Sequence, residues 1–158
     1  MLSTDTIILE ILNNEKKKGN KLLNHFKISY PDKKLAQENN CILVAVVSTE
    51  NQLNGFDFEQ FRDLVEILIT TKQEDNDKAS KIIKAISYEI SRLIMNNIDK
   101  FPNKPVIRSI NPFYDLNMTL TRGQIMVNVN TEPVDFELTE EEYYNICNLI
   151  SEDNIEIK

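Results

Sequence analysis

Glycine is scarce in this chain: Gly19, Gly55 and Gly123 are the only three in 158 residues. A loop that cradles phosphates needs clustered glycines, so no nucleotide-binding loop of that kind is expected. Histidine is scarcer still. His25 stands alone, without a cysteine or carboxylate pair at metal spacing, and reads as a surface or packing residue. Cys41 and Cys147 are too few for a disulfide framework. Cys41 opens an apolar run and Cys147 falls in a predicted helix, so both are expected to be buried thiols, as suits the cytoplasm. Apolar runs stay far below the ~20 residues of a membrane span. Met1 to Asp5 lacks the basic start of a signal peptide.

Positive charge is also in short supply. The 25 Asp and Glu against 18 Lys and Arg give a net charge of −7. A general nucleic-acid binder needs a basic face to displace counterions, so that class is disfavoured. The one dense basic run, Lys16-Lys17-Lys18, closes a predicted helix, where lysines meet the helix dipole favourably.

What remains is an ordinary globular composition, 41% hydrophobic and 27% charged. A chain of this size buries roughly 70% of the surface its unfolded form exposes, enough for a core without staples. We expect one domain over residues 1–150 and a loose tail over 151–158.

The richest stretch is Leu64 to Ile94. Leu64 to Thr71 is rich in β-branched residues and reads as a strand, with Val65, Ile67 and Ile69 on the core face. Glu74-Asp75-Asn76-Asp77 supplies a cap and negative charge for a helix N-terminus. It lacks the central glycine and closing Glu of a calcium loop. Ile82, Ile83, Ile86, Ile90, Leu93 and Ile94 then recur at helical spacing and predict a helix from about Lys78 to Met95.

Around this unit, Ser3 or Thr4 caps a first helix with Ile7, Ile8, Ile11 and Leu12 on its apolar face, and Gly19 stops it. Cys41 to Val47 reads as a strand covered on both faces, followed by a polar stretch to a turn at Asn54-Gly55. Phe56 to Phe61 alternates and leads into the Leu64 strand, either continuously or with a bend near Arg62-Asp63. Its flanking acids oppose a base-stacking role. Pro105 opens a strand through Ile110 that suits a sheet edge. Leu116, Met118 and Leu120, then Ile125, Val127 and Val129, alternate about Arg122-Gly123 and predict a β-hairpin. Thr139-Glu140-Glu141-Glu142 is a capping box for a last helix bearing Tyr143, Ile146, Leu149 and Ile150.

The expected fold is α+β: an antiparallel or mixed sheet of about four to five strands, a central amphipathic helix, and N- and C-terminal helices. A doubly wound nucleotide-binding fold is disfavoured by the missing alternation and glycine-rich turn.

This layout resembles that of the tail terminator and tail-completion (neck) proteins of long-tailed bacteriophages. The corresponding segments are Asp5 to Lys18, Cys41 to Val47, Leu64 to Thr71, Lys78 to Met95 and Leu116 to Val129, with Tyr114-Asp115 ahead of the hairpin. The C-terminal helix and the segment between Gly19 and Asn40 depart from it. The resemblance implies a structural virion protein, not an enzyme. It would assemble in the host cytoplasm as a ring, usually a hexamer, that caps the tail tube and joins it to the head-tail connector. No catalytic, cofactor or metal residue is expected, nor a specific nucleic acid or a membrane. The expected interface residues are Arg108, Phe113, Tyr114, Arg122 and Gln124, on the Pro105 strand and hairpin whose edges would meet further copies. An acidic subunit also suits a channel that DNA must pass without sticking. Two rivals stand beside this reading. One is a small acidic cytoplasmic adaptor or inhibitor that binds one protein partner. The other is an enzyme with a site gathered from Arg108, Tyr114 and Asp115.

Overall fold

The structure, a computed structural model, describes residues 3–31, 40–54, 58–111, 121–131 and 138–156. Its elements are α1 (Thr4–Lys17), β1 (Lys27–Ser29), β2 (Cys41–Asn54), β3 (Phe58–Thr71), α2 (Asn76–Asn96), β4 (Val106–Asn111), β5 (Thr121–Thr131) and α3 (Glu140–Glu156). The strands form one mixed sheet in the order β1-β2-β3-β5-β4. Among the described strands only the β1–β2 pair is parallel; β3 runs antiparallel to both β2 and β5 along its length. The fold is therefore α+β, as the sequence predicts.

Pattern explains most of the core. Val65, Ile67 and Ile69 alternate on β3 and are fully buried, as expected, opposite Val46, Val44 and Ile42 on β2. Ile125, Val127 and Val129 continue the same face on β5. Onto it pack Ile8, Ile11 and Leu12 of α1 and Ile83, Ile86, Ile90 and Ile94 of α2, in one cluster. Each such side chain contributes about 1.5–3 kcal/mol by leaving water. Both helices thus lie on one face of the sheet.

The helix ends also follow from local chemistry. Asp75 caps α2: its Oδ1 accepts from the amides of Asp77 (3.0 Å) and Lys78 (3.1 Å). Gly19, at φ +90°, ends α1 in a left-handed turn. There the Gly19 amide donates to the Lys16 carbonyl and the Asn20 amide to the Glu15 carbonyl, which satisfies two orphan acceptors. The capping box at α3 forms in both directions: Glu142 N donates to Thr139 Oγ1 and Thr139 N to Glu142 Oε1, each at 3.2 Å.

Several expectations are corrected. Arg122-Gly123 is not a hairpin turn. Both residues lie inside β5, with Gly123 opposite Ile69 and Arg122 opposite Thr70. Gly123 is needed because α2 approaches there: a Cβ on it would stand 2.2 Å from Ile83 Cγ2. The strand expected over Leu116 to Leu120 lies outside the described residues, and the partners of β5 are β3 and β4. The polar stretch Ser48 to Asn54 is not loop but the second half of β2, paired with β3 up to Asn54 opposite Phe58. Phe58 to Thr71 is accordingly one continuous strand. Double coverage of β2 holds for Cys41 to Val44 and fails beyond, where Val47 is half exposed at a bulge. Residues 151–156, expected to be a loose tail, continue α3.

Candidate interaction surface

The Pro105 segment behaves as predicted. Among the described residues, β4 pairs with β5 alone and forms one edge of the sheet. Its register slips between Ile107 and Ser109. The extra residue, Arg108, is exposed, and the slip lets Ile107 and Ile110 both pack against the core cluster although they are three apart. Arg108 is thus displayed at an open edge by the bulge that repairs the core below it.

Gln124 lies on the opposite face of the sheet, which neither α1 nor α2 covers. It joins three strands: its Nε2 donates to Glu66 Oε2 of β3 (2.7 Å), and its Oε1 accepts from Asn111 Nδ2 of β4 (3.2 Å). That role is structural. Leu64, Glu66, Leu68 and Met126 share this face and are each half-buried. Arg122 belongs to β5, and Phe113, Tyr114 and Asp115 lie outside the described residues. Arg108 and Gln124 therefore belong to one edge region, while the gathering of all five expected residues lies beyond what is described.

At the far end of the same face, Arg62, Lys104, Val106, Asn128 and Asn130 line a polar dent of about 280 Å³. Arg62 Nε donates to Asn130 Oδ1 at 3.4 Å. Among the described residues, no group of three His, Cys, Asp or Glu is placed to hold a metal. No described helix is long and apolar enough to cross a membrane. His25 is exposed, in accord with its surface reading. Cys41 is buried, its Sγ 2.9 Å from Thr70 Oγ1. Cys147 was expected to be buried and is instead an exposed free thiol.

The reason lies in α3, which stands outside the core. Apart from half-buried Glu142, every residue from Glu140 to Ser151 is exposed, including Tyr144 (66%) and Leu149 (54%). Tyr143, Ile146, Cys147 and Ile150 fall at i, i+3, i+4 and i+7, a single apolar stripe. The helix also holds six of the 25 acids and none of the 18 bases, so it alone carries six of the seven net negative charges. The rest of the chain is nearly balanced. Acidity is thus a property of one helix, not of the surface at large.

A second feature escaped sequence reasoning. Leu22 and Phe26, around a short 3₁₀ turn at Leu23–His25, form one wall of a groove whose other wall is Ile82, Ala85 and Ile86 of α2. Its volume is about 410 Å³, with His25, Asn40 and Lys81 at the rim. The half-apolar sequence of residues 20–26 carries no period that would announce it. Below this groove Glu89 joins α2 to the end of α1, accepting from Arg92 and from Asn20 Nδ2 (3.2 Å). The Arg92 guanidinium, with Asn20 adding a second donor, holds the Glu89 carboxyl below its ordinary value against the opposite pull of burial.

No protein-family profile matches the chain, and no curated protein matches it.

Proposed function

We propose that this chain is a structural assembly protein of the kind found at the neck of long-tailed bacteriophages. It would be a subunit of a ring that caps the tail tube and meets the head-tail connector in the virion. The observation that carries the assembly reading is α3, a helix that displays Tyr143, Tyr144, Ile146, Leu149 and Ile150 to solvent. A contiguous exposed apolar surface of this kind marks a protein–protein contact. The edge at β4, unpaired among the described residues, adds a second surface suited to pairing with copies. The more specific neck reading is supported by the layout: an N-terminal helix, long strands leading into a central helix, then a further pair of strands. The charge distribution refines the channel argument, since any repulsion of DNA would come from α3.

The test is to mix the purified protein with tail tubes that lack a terminator and image their ends. Caps of uniform size at one end of the tubes are expected, with light scattering that reports a closed oligomer. A protein that stays monomeric and leaves the tube ends bare overturns the reading. The adaptor reading also draws on α3, because an acidic amphipathic helix suits insertion into a groove of one partner protein. A stable one-to-one complex with a host protein, with no binding to tubes, would favour it.

A further inference from the structure

We propose that α3 docks, apolar stripe first, in the Leu22–Ile86 groove of a second copy of this chain. Among the described residues, two surfaces on one molecule are left open, and their chemistry matches. The stripe of Tyr143, Ile146, Cys147 and Ile150 is exposed. The groove is walled by Leu22, Phe26, Ile82, Ala85 and Ile86, and Leu22 and Ala85 are themselves exposed.

Charge agrees with shape. α3 brings six acids and no base. The groove is framed by the basic end of α1, where Lys16 Nζ donates to the Phe26 carbonyl at 2.7 Å. Lys18, Lys21 and Lys27 lie beside it in sequence, and Lys81 of α2 lines the groove, with Lys78 three residues before it. Some of this charge is already answered: Glu15 pairs with Lys18, and Asp77 with Lys81 at 3.2 Å. The lysine of each pair is exposed and such surface pairs are weak, so the bases can turn toward an acidic helix. Sequence reasoning gave the lysine run to the helix dipole alone; the groove beside it supplies a second use.

The exposure of α3 decides whose helix enters. Asn40, at the groove, precedes Cys41 at one end of the sheet, where Cys41 pairs with Thr70 and Thr70 with Arg122. β5 leaves the sheet at the other end, at Thr131 opposite Phe61. Between them runs the stretch of β3 from Phe61 to Thr70, about 30 Å of strand. α3 begins nine residues after Thr131 and is exposed from Tyr143 to Ser151, so it does not occupy its own groove. The groove left open on one copy is then available to the helix of another. A contact of this form is one-way: each copy gives a helix and receives one, so copies join head to tail and close a ring when the rotation allows. The inference does not rest on the tail reading, because copies can be joined this way whatever they build.

The native exposed Cys147 supplies the test. In full-length Ala85→Cys, mild oxidation should link Cys147 of one copy to residue 85 of the next, because docking brings the stripe against Ala85 within disulfide reach. A ladder of covalent dimers and larger species is expected on a non-reducing gel, absent from the wild type and lost when Ile146→Asp and Ile150→Asp are added. Without crosslinking, light scattering should show the wild type assembling and Ile146→Asp/Ile150→Asp monomeric, while at concentrations too low for assembly the two should melt alike, since both sites are exposed. Raising salt from about 0.05 to 0.5 M should weaken assembly at least several-fold. A disulfide formed within single chains, or a wild type that is monomeric at all concentrations, would overturn the proposal.

Discussion

Gly123 of β5 and Ile83 of α2 meet so closely that the strand has no room for a side chain: a Cβ at Gly123 would stand 2.2 Å from Ile83 Cγ2. The obstructing methyl sits on a β-branched residue whose rotamer is stiff in a helix, so it cannot swing aside. Gly123→Ala should therefore destabilise the fold by about 1–3 kcal/mol through overpacking. Ile83→Ala alone should cost about 2–5 kcal/mol through the cavity it leaves. The double variant should be more stable than the sum of the two losses by at least about 1 kcal/mol, since each change relieves the other. Urea melts of the four proteins measure this, and simple additivity would show that the helix moves away freely.

Asp63 ties the start of α1 to the sheet. Its Oδ2 accepts from Thr4 Oγ1 and its Oδ1 from Thr49 Oγ1, both at 2.7 Å. Thr4 and Asp63 are buried, while Thr49 is exposed. Thr4→Val keeps the shape and removes a donor from a buried carboxylate, for an expected loss of about 1.5–3 kcal/mol. Thr49→Val should cost less than half of that, because water can replace its hydroxyl. Denaturation midpoints report both. Equal losses would mean that the carboxylate is no better shielded on the Thr4 side.

Periodicity made β3, α2 and the first turn of α3 legible, because each element states its own geometry. Val65, Ile67 and Ile69 alternate and are buried; Asp75 sits where a cap must sit and makes the cap. Gly123 was misread because a tight turn and a close helix approach both call for a residue without a side chain, and only the third dimension separates them. Ser48 to Asn54 was misread because pairing with β3 imposes strand on residues whose composition suits a loop. Ile107 and Ile110 break the alternation of a strand, and the bulge at Arg108 that reconciles them is invisible until β5 lies alongside. The stripe on α3 reads the same whether it faces its own core or a neighbour. Its exposure, and the exposed Cys147 with it, could come only from the structure.

Among the described residues, Thr131 is the buried polar group left unanswered: it ends β5 opposite Phe61, is buried, and its Oγ1 has no hydrogen-bond partner there. An unpaired buried hydroxyl carries a desolvation cost that a methyl of the same shape avoids. Thr131→Val should therefore stabilise the protein by about 1 kcal/mol, read as a rise in urea midpoint at unchanged slope. A loss of stability would reveal that the hydroxyl is answered by water in solution.

Glu89 should give the fold an acid-sensitive joint. Its carboxyl is held below its ordinary value by Arg92, with Asn20 adding a second donor. A folded value below the unfolded one means that the charged form favours the fold. The contribution is fully present above the unfolded carboxylate range near pH ~4.3, and it fades as pH falls through the lower folded value. Because Asn20 Nδ2 donates to Glu89 Oε1, the loss should loosen the end of α1 against α2. In Glu89→Gln the amide can still accept from Asn20 but cannot titrate. Stability at pH ~7 should therefore drop modestly, as expected of a pair with an exposed arginine. Below about pH 4 the variant and the wild type should converge, because protonation takes from the wild type what the substitution has already removed. Melting curves of both proteins from pH ~7 to ~3 measure the convergence, and a constant gap across that range would show that the charge of Glu89 adds nothing.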